Sequence, residues 1–480
     1  MTSLTQGLAR RIHTARIEHF SEWEREQSAK VVMDTLAVMV GGAMSELREP
    51  ILNYLGMSPQ KGPSRVLGTD WRLPPELSAL VNGTFGAALD FDDVVSTMPG
   101  HPSAIVMAVV AAELDLRTIS GRDLIEAHIV GLEVSSKLGV GLTKGYYDRG
   151  FHGTCALGVF VGVAVLACLR RLDEQTIAAA LGMASSMSSG LRCNFGTMTK
   201  ALHTGWAAQW SVHAVNLAQS GVTACTTALE ANAGYFETYG DAASDTEAVL
   251  RAWGEPWAIR SPGVGLRNFA CYNALQRPMH AVLDLKSRVD LTPASLQHLS
   301  CWMHPGGMQG AIYPRPTTGF EGKFSLQYVL AAGVLDGAYS LQTFTDEAVN
   351  RPAIQALLKK IEACEMDVCG TTDPQAIGGA LEGAKGFVQV SVTLASGAVE
   401  TCRLSVAPGH PARPLGWDEL HAKFMDCARF AHFPVAKAEA ACALLQSLET
   451  CADIKEIADL LVAAPASRDA GKAAELAAAQ

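Results

Sequence analysis

The run Cys155–Leu169 contains no charged residue and is apolar almost throughout, with glycines at intervals. A bilayer-crossing helix needs roughly 20 such residues, so this run is too short to span a membrane. A helix that is apolar on nearly all sides must be surrounded by other elements. The stretches 26–46, 76–94, 102–115, 121–144, 174–192 and 200–220 supply them, rich in Ala, Leu and Val at helical spacing and separated by short Gly or polar joints. Ser120 and Asp173 stand where helix N-caps are expected. This part of the chain reads as a large helical bundle.

The pattern changes after about residue 262. Residues 386–406 hold two alternating apolar stretches around Ala395-Ser396-Gly397-Ala398, which predicts a β-hairpin. A further strand is expected at 296–303, with helical patterns at 323–340 and 350–363. Residues 417–461 return to helix and are expected to pack back on the bundle. The fold class is therefore mainly α with a smaller α+β part.

The formal net charge is -10 and only 18% of residues are charged. No basic run interrupts this, which argues against nucleic-acid binding. The low charged fraction leaves apolar surface to cover and favours a homo-oligomer. The twelve cysteines are scattered with no C-x-x-C, a usage that suits reduced, mostly buried thiols. The N-terminal stretch lacks the apolar core of a signal peptide. A cytoplasmic protein without membrane segments is expected.

Three polar clusters stand out. In A-L-D-F-D-D-V-V-S-T-M-P-G-H-P-S (88–103), Asp90 and Asp93 are expected to share a helix face, with His101 in the following loop. Solvated acids at a helix end, an acid/base site and a Mg²⁺ site are all compatible with it. In G-F-H-G-T-C (150–155), His152 precedes a nearly uncharged helix whose dipole favours a neutral imidazole, either a base or a structural residue. In N-F-G-T-M-T-K-A-L-H-T-G (194–205), Thr199, Lys200 and His203 crowd a helix start, where amides and a lysine could receive a carboxylate and an ordinary capped helix is the alternative. Gly139–Gly145 matches neither glycine-rich nucleotide motif, and no flavin, haem or zinc signature occurs.

In this order, together with P-W-A-I-R-S-P-G and K-F-S-L-Q-Y, these motifs resemble the MmgE/PrpD family over roughly residues 30–460. The family includes 2-methylcitrate dehydratases, cis-aconitate decarboxylases and iminodisuccinate epimerases. The resemblance implies an all-helical domain built from both chain ends (1–262 with 412–465), an inserted α+β domain (263–411), a frayed tail (466–480), a homodimer and a pocket between domains. It implies no cofactor and no metal. Asp90, His101, His152 and Lys200 match the family's catalytic positions, and Tyr313 a pocket tyrosine; Arg267, His203 and Thr199 are the expected substrate contacts. Arg267 stands where the family usually has a second lysine, and Val94 where a threonine often follows the acids. An arginine can clamp a carboxylate bidentately but donates no proton near neutral pH.

The expected function is a lyase acting on a small di- or tricarboxylate, dehydrating a 2-methylcitrate-like or decarboxylating a cis-aconitate-like substrate by proton transfer beside a carboxylate. The alternatives are an epimerase or isomerase of an iminodisuccinate-like dicarboxylate and an inactive relative serving as a binding or scaffold protein. A Mg²⁺-dependent isoprenoid cyclase fits less well, because Ser96 stands where its D-D-x-x-D requires an acid.

Overall fold

A computed structural model describes residues 3–57, 61–371 and 386–462. The expected frayed tail lies outside these residues. Over the described residues the chain is mainly α-helical, with one four-stranded sheet and one short two-stranded pair. The uncharged run forms the helix Gly158–Arg170, preceded by a single turn at Gly153–Ala156, and is buried from Gly158 to Cys168. Around it pack Gly121–Leu142, Pro102–Glu113, Glu174–Met187 and Thr199–Gln219. The caps read from sequence are present. Ser120 and Asp123 form a reciprocal capping box, and Asp173 Oδ1 accepts from Thr176 N at 2.8 Å. An N-terminal helix, Leu4–Thr14, was not anticipated; it buries Leu4, Leu8 and Ile12.

One crossing sets up the site. Helices Pro75–Ala87 and Thr199–Gln219 meet at Gly83 and Gly205. A Cβ on Gly83 would sit 2.9 Å from Gly205 Cα, and one on Gly205 2.3 Å from Leu80 O, so only glycine admits this approach. The end of the first helix is thereby brought to the start of the second. That first helix is shorter than its sequence pattern implied. It stops at Ala87, and Asp90 takes a left-handed φ of 53°, so Asp90 and Asp93 do not share a helix face.

The sheet orders its strands as Ile361–Glu365, Leu296–Met303, Val388–Leu394 and Val399–Leu404, the first pair parallel and the others antiparallel. The hairpin and the strand at 296–303 match expectation. The helical pattern at 350–363 is cut short: the helix Pro352–Leu357 gives way to the strand from Ile361. The C-terminal helix Trp417–Phe430 packs on Glu22–Gly42. Lys423 pins it there, pairing with Asp34 at 2.6 Å and donating to Phe91 O and Arg267 O at 2.9 Å each. Among the described residues no helix is long and apolar enough to cross a membrane.

Candidate active site

The acidic loop after Ala87 is buried: Asp90 is 5% exposed, and Asp92 and Asp93 1% each. Solvated acids at a helix end are therefore not what the chain builds. Each carboxylate has its own surroundings. Asp90 pairs with Lys200 and lies 3.6 Å from Arg267 Nη1. Asp92 lies 3.3 Å from Arg267 Nη2 and 3.8 Å from His101 Nδ1. Asp93 accepts from Ser103 Oγ at 2.6 Å, and that hydroxyl also meets His128 Nε2 at 3.1 Å. Among the described residues no group of three or more His, Cys, Asp or Glu side chains is placed to hold a metal ion.

Burial alone would raise Asp90, but Lys200, Arg267 and Lys323 hold its carboxyl well below the usual carboxylate range. Asp93 goes the other way. Burial, opposed by Ser103 and reinforced by Asp92, pushes it up to about 7. The left-handed backbone at Asp90 is held by Lys200 on its carboxylate and Arg267 Nη1 on its carbonyl.

His101 ends this loop at the start of the helix Pro102–Glu113. Its Nδ1 lies 2.5 Å from Asp93 O. A carbonyl only accepts, so Nδ1 carries the proton and Nε2 keeps a lone pair. Arg267 Nη2 is 3.2 Å from both ring nitrogens, lying against the ring as a whole. Burial first, then Arg267 and Lys200 against the opposing pull of Asp92, lower His101 to about 4. The free site thus holds a neutral base.

His152 is 1% exposed. Its Nδ1 lies 2.9 Å from His203 Nδ1 and its Nε2 2.9 Å from Thr154 Oγ1. Thr154 Oγ1 also accepts from His101 N at 3.1 Å, which joins the first two motifs. Gly100 permits this contact, since a Cβ there would sit 2.7 Å from Thr154 N and 2.8 Å from Thr154 Oγ1. Burial, with the charge of Lys200, keeps His152 neutral, well below the usual imidazole range; burial and Lys200 lower His203 to about 4. A helix dipole, expected from the sequence to favour the neutral ring, is not the main cause of that neutrality. The following helix is one turn long, and burial is the larger cause.

Lys200 lies in the first turn of Thr199–Gln219. The amides of this turn are already occupied. Thr199 N donates to Thr197 Oγ1 at 3.3 Å, Lys200 N to Thr197 O at 3.1 Å and Ala201 N to Met198 O at 3.2 Å. What this turn offers an anion is the lysine, and Thr199 opens the helix without a side-chain bond into the cluster. Phe195 packs edge-on against His152 at 4.8 Å. The neighbouring Gly196 faces Tyr313, whose hydroxyl is 3.9 Å from a Cβ built there. Asp90, His101, His152, Lys200, His203 and Arg267 thus converge, with Tyr313 at the border.

Lys323 was not singled out as a site residue, although its motif K-F-S-L-Q-Y was. It is 8% exposed, and its side chain makes no hydrogen bond or ion pair among the described residues. Burial lowers its pKa, opposed by the charge of Asp90. Lys200, Arg267 and Lys323 therefore all act on Asp90, while Glu46 adds a second negative charge toward Lys323.

The N-terminal domain model of the MmgE/PrpD family matches residues 6–247, and the C-terminal domain model matches 269–450. The chain belongs to the MmgE/PrpD family. Among its relatives, the cis-aconitate decarboxylase of Homo sapiens is 27% identical over 435 residues, covering 88% of this chain and 87% of the relative. The Mus musculus enzyme of the same name is 26% identical over 435 residues, covering 88% and 86%. That of Aspergillus terreus is 26% identical over 374 residues, covering 71% and 74%. MmgE/PrpD membership accounts for the order of the motifs. The convergence of their side chains follows from the Gly83–Gly205 crossing, the Thr154 link and the Lys423 staple.

Proposed function

We propose that this chain is a cofactor-independent lyase that decarboxylates a small unsaturated tricarboxylate of the cis-aconitate type. The observation that carries this reading is the grouping of Lys200, Arg267 and Lys323 around Asp90, with a neutral His101 beside them. The similarity to cis-aconitate decarboxylases over most of the chain supports it.

In such a substrate the bond between a methylene carbon and its carboxylate breaks and CO₂ leaves. The electron pair passes into the allyl system and reaches the carbon next to a second carboxylate. Buried cations stabilise the charge that develops there. The pair is then used to form a C–H bond at that carbon. The proton comes from His101. A multiply charged anion beside the imidazole favours its protonated form, so His101 gains a proton as substrate binds and delivers it after CO₂ departs. Lys200 exchanges part of its pairing with Asp90 for a substrate carboxylate. Asp90 and Arg267 hold the loop geometry, and Tyr313 and His203 complete the walls.

The test is turnover in D₂O with cis-aconitate, citrate, 2-methylcitrate and iminodisuccinate, followed by NMR and CO₂ release. CO₂ release with one solvent deuterium in the product, lost in His101→Gln and Lys200→Ala, is the expected result. Water loss without CO₂ replaces decarboxylation by dehydration. Deuterium exchange with neither replaces it by epimerisation. Absence of turnover with every substrate sinks the enzymatic reading.

A further inference from the structure

Beyond the wall formed by Val94, Gly265 and Leu266 lies a cavity of about 730 Å³, within the size range of small-ligand pockets. None of the candidate catalytic residues lines it. Its wall on the catalytic side is a backbone bridge, Val94 N to Gly265 O at 2.7 Å and Gly265 N to Val94 O at 2.9 Å. Asp93 precedes that bridge and Arg267 follows it.

The described residues lining this cavity include Lys144, Arg277, His304 and His410, and no Asp or Glu. In a chain of net charge -10 that is a marked local imbalance. Arg277 donates to Gly386 O at 3.0 Å, Ser405 O at 3.4 Å and His304 Nδ1 at 2.9 Å, and among the described residues no carboxylate pairs with it. Arg267 differs, having Asp90 and Asp92 beside it. Because a guanidinium only donates, His304 Nδ1 accepts and its Nε2 carries a proton. His410 Nδ1 accepts from Ala412 N at 3.1 Å, which leaves its Nε2 protonated as well. Lys144 is exposed at the cavity and has no ion-pair partner among the described residues. The nearby Glu365 accepts from the amides of Gly306 and Met308 at 3.0 and 2.8 Å, so its charge is engaged with that loop.

We infer that this cavity is a second anion site, separate from the catalytic cluster, for a small molecule bearing two or more oxyanion groups. Arg277 supplies the fixed charge, His304 and His410 supply N–H donors, and Lys144 closes the outer side. The volume exceeds what one tetrahedral ion fills, and the donors come from several separate segments, so the ligand bridges them. Its groups are carboxylates or phosphates, which present the same oxygens to arginine.

The test is calorimetric titration of the full chain with tricarballylate and, separately, with pyrophosphate. The Lys200→Ala chain is expected to bind one equivalent of at least one of them. Arg277→Gln in that background is expected to weaken binding by about tenfold or more. Arg277 also holds two backbone carbonyls, so Lys144→Gln, at a surface position, serves as the second variant. It is expected to weaken the same binding severalfold and to reduce its salt dependence. The preferred anion identifies the oxyanion class. If the Lys200→Ala chain binds neither anion, or binds one with an affinity indifferent to both substitutions, the second site does not exist. Turnover of the unaltered chain is scored separately, so failure here leaves the catalytic reading standing.

Discussion

Arg267 Nη2 lies 3.3 Å from the Asp92 carboxylate and 3.2 Å from both ring nitrogens of His101. One guanidinium thus balances a buried acid and holds down the proton affinity of a buried base. Replacing it by glutamine leaves Asp92 without its cation, and breaking such a pair costs roughly 3–5 kcal/mol. Arg267→Gln is therefore expected to lower the denaturation midpoint. Removal of the cation, with Asp92 left unopposed, also raises His101. Because His101 works as the proton donor, the alkaline limb of kcat/KM is expected to move upward in pH in this variant, and an unmoved limb counts against the assigned coupling.

His101 sits at about 4 in the free chain. For an imidazole lowered below its unfolded value, stability is lost as pH falls from about 6.5 toward 4, where only the unfolded chain takes the proton. The same neutrality makes substrate binding a proton-uptake event. Calorimetry of tricarballylate on the Arg277→Gln chain, at concentrations that fill only the catalytic cluster, in two buffers of different ionisation enthalpy is expected to show close to one proton taken up near pH 7. His101→Gln is expected to abolish that uptake. Identical heats in both buffers would contradict His101 as the proton carrier.

Asp93 carries the opposite sign. Its carboxyl is raised to about 7, so between roughly 4 and 7 the folded chain holds a proton that the unfolded chain has released. Stability from this group is present at low pH and declines as pH rises toward 7, on the order of 1 kcal/mol per pH unit. Asp93→Asn keeps an acceptor for Ser103 and cannot ionise. Urea midpoints of this variant relative to the parent are expected to improve steadily from pH 4 to pH 7 and to level off above it. A constant difference across that range would mean Asp93 is not raised.

The helical class, the hairpin, the strand at 296–303 and the N-caps at Ser120 and Asp173 were legible because local periodicity and cap chemistry determine them. The end of the helix at Ala87 was not, because Leu89 and Phe91 continue an apolar pattern while Asp90 turns left-handed under the hold of Lys200 and Arg267. Local spacing also gave no reason for three acids to be buried; that depends on cations brought from 110 and 177 residues away. The Thr154 bridge between His101 and His152 likewise needs the tertiary fold. Lys423 did leave a trace. It shares a helix stripe with the buried Leu420, Phe424 and Cys427, and a lysine on an apolar stripe points to an internal partner.

Lys323 separates stability from function most sharply. Its neighbours Phe324 and Leu326 are buried with it, and Ser325 caps the helix Leu326–Asp336, so the backbone fixes the lysine inward. A buried ammonium with no hydrogen-bond partner is a cost to folding. Methionine of similar length removes the charge and retains most of the packing. Lys323→Met is therefore expected to raise the melting temperature. The developing carboxylate charge of the substrate, however, loses one of its three cations. Removing such a contribution typically costs ~10²–10³ in rate, with Lys323→Arg recovering part of it. A chain that gains stability while kcat/KM falls identifies Lys323 as a group retained for substrate charge. A variant that gains stability and keeps full activity would remove Lys323 from the site and leave Lys200 and Arg267 to hold the anion alone.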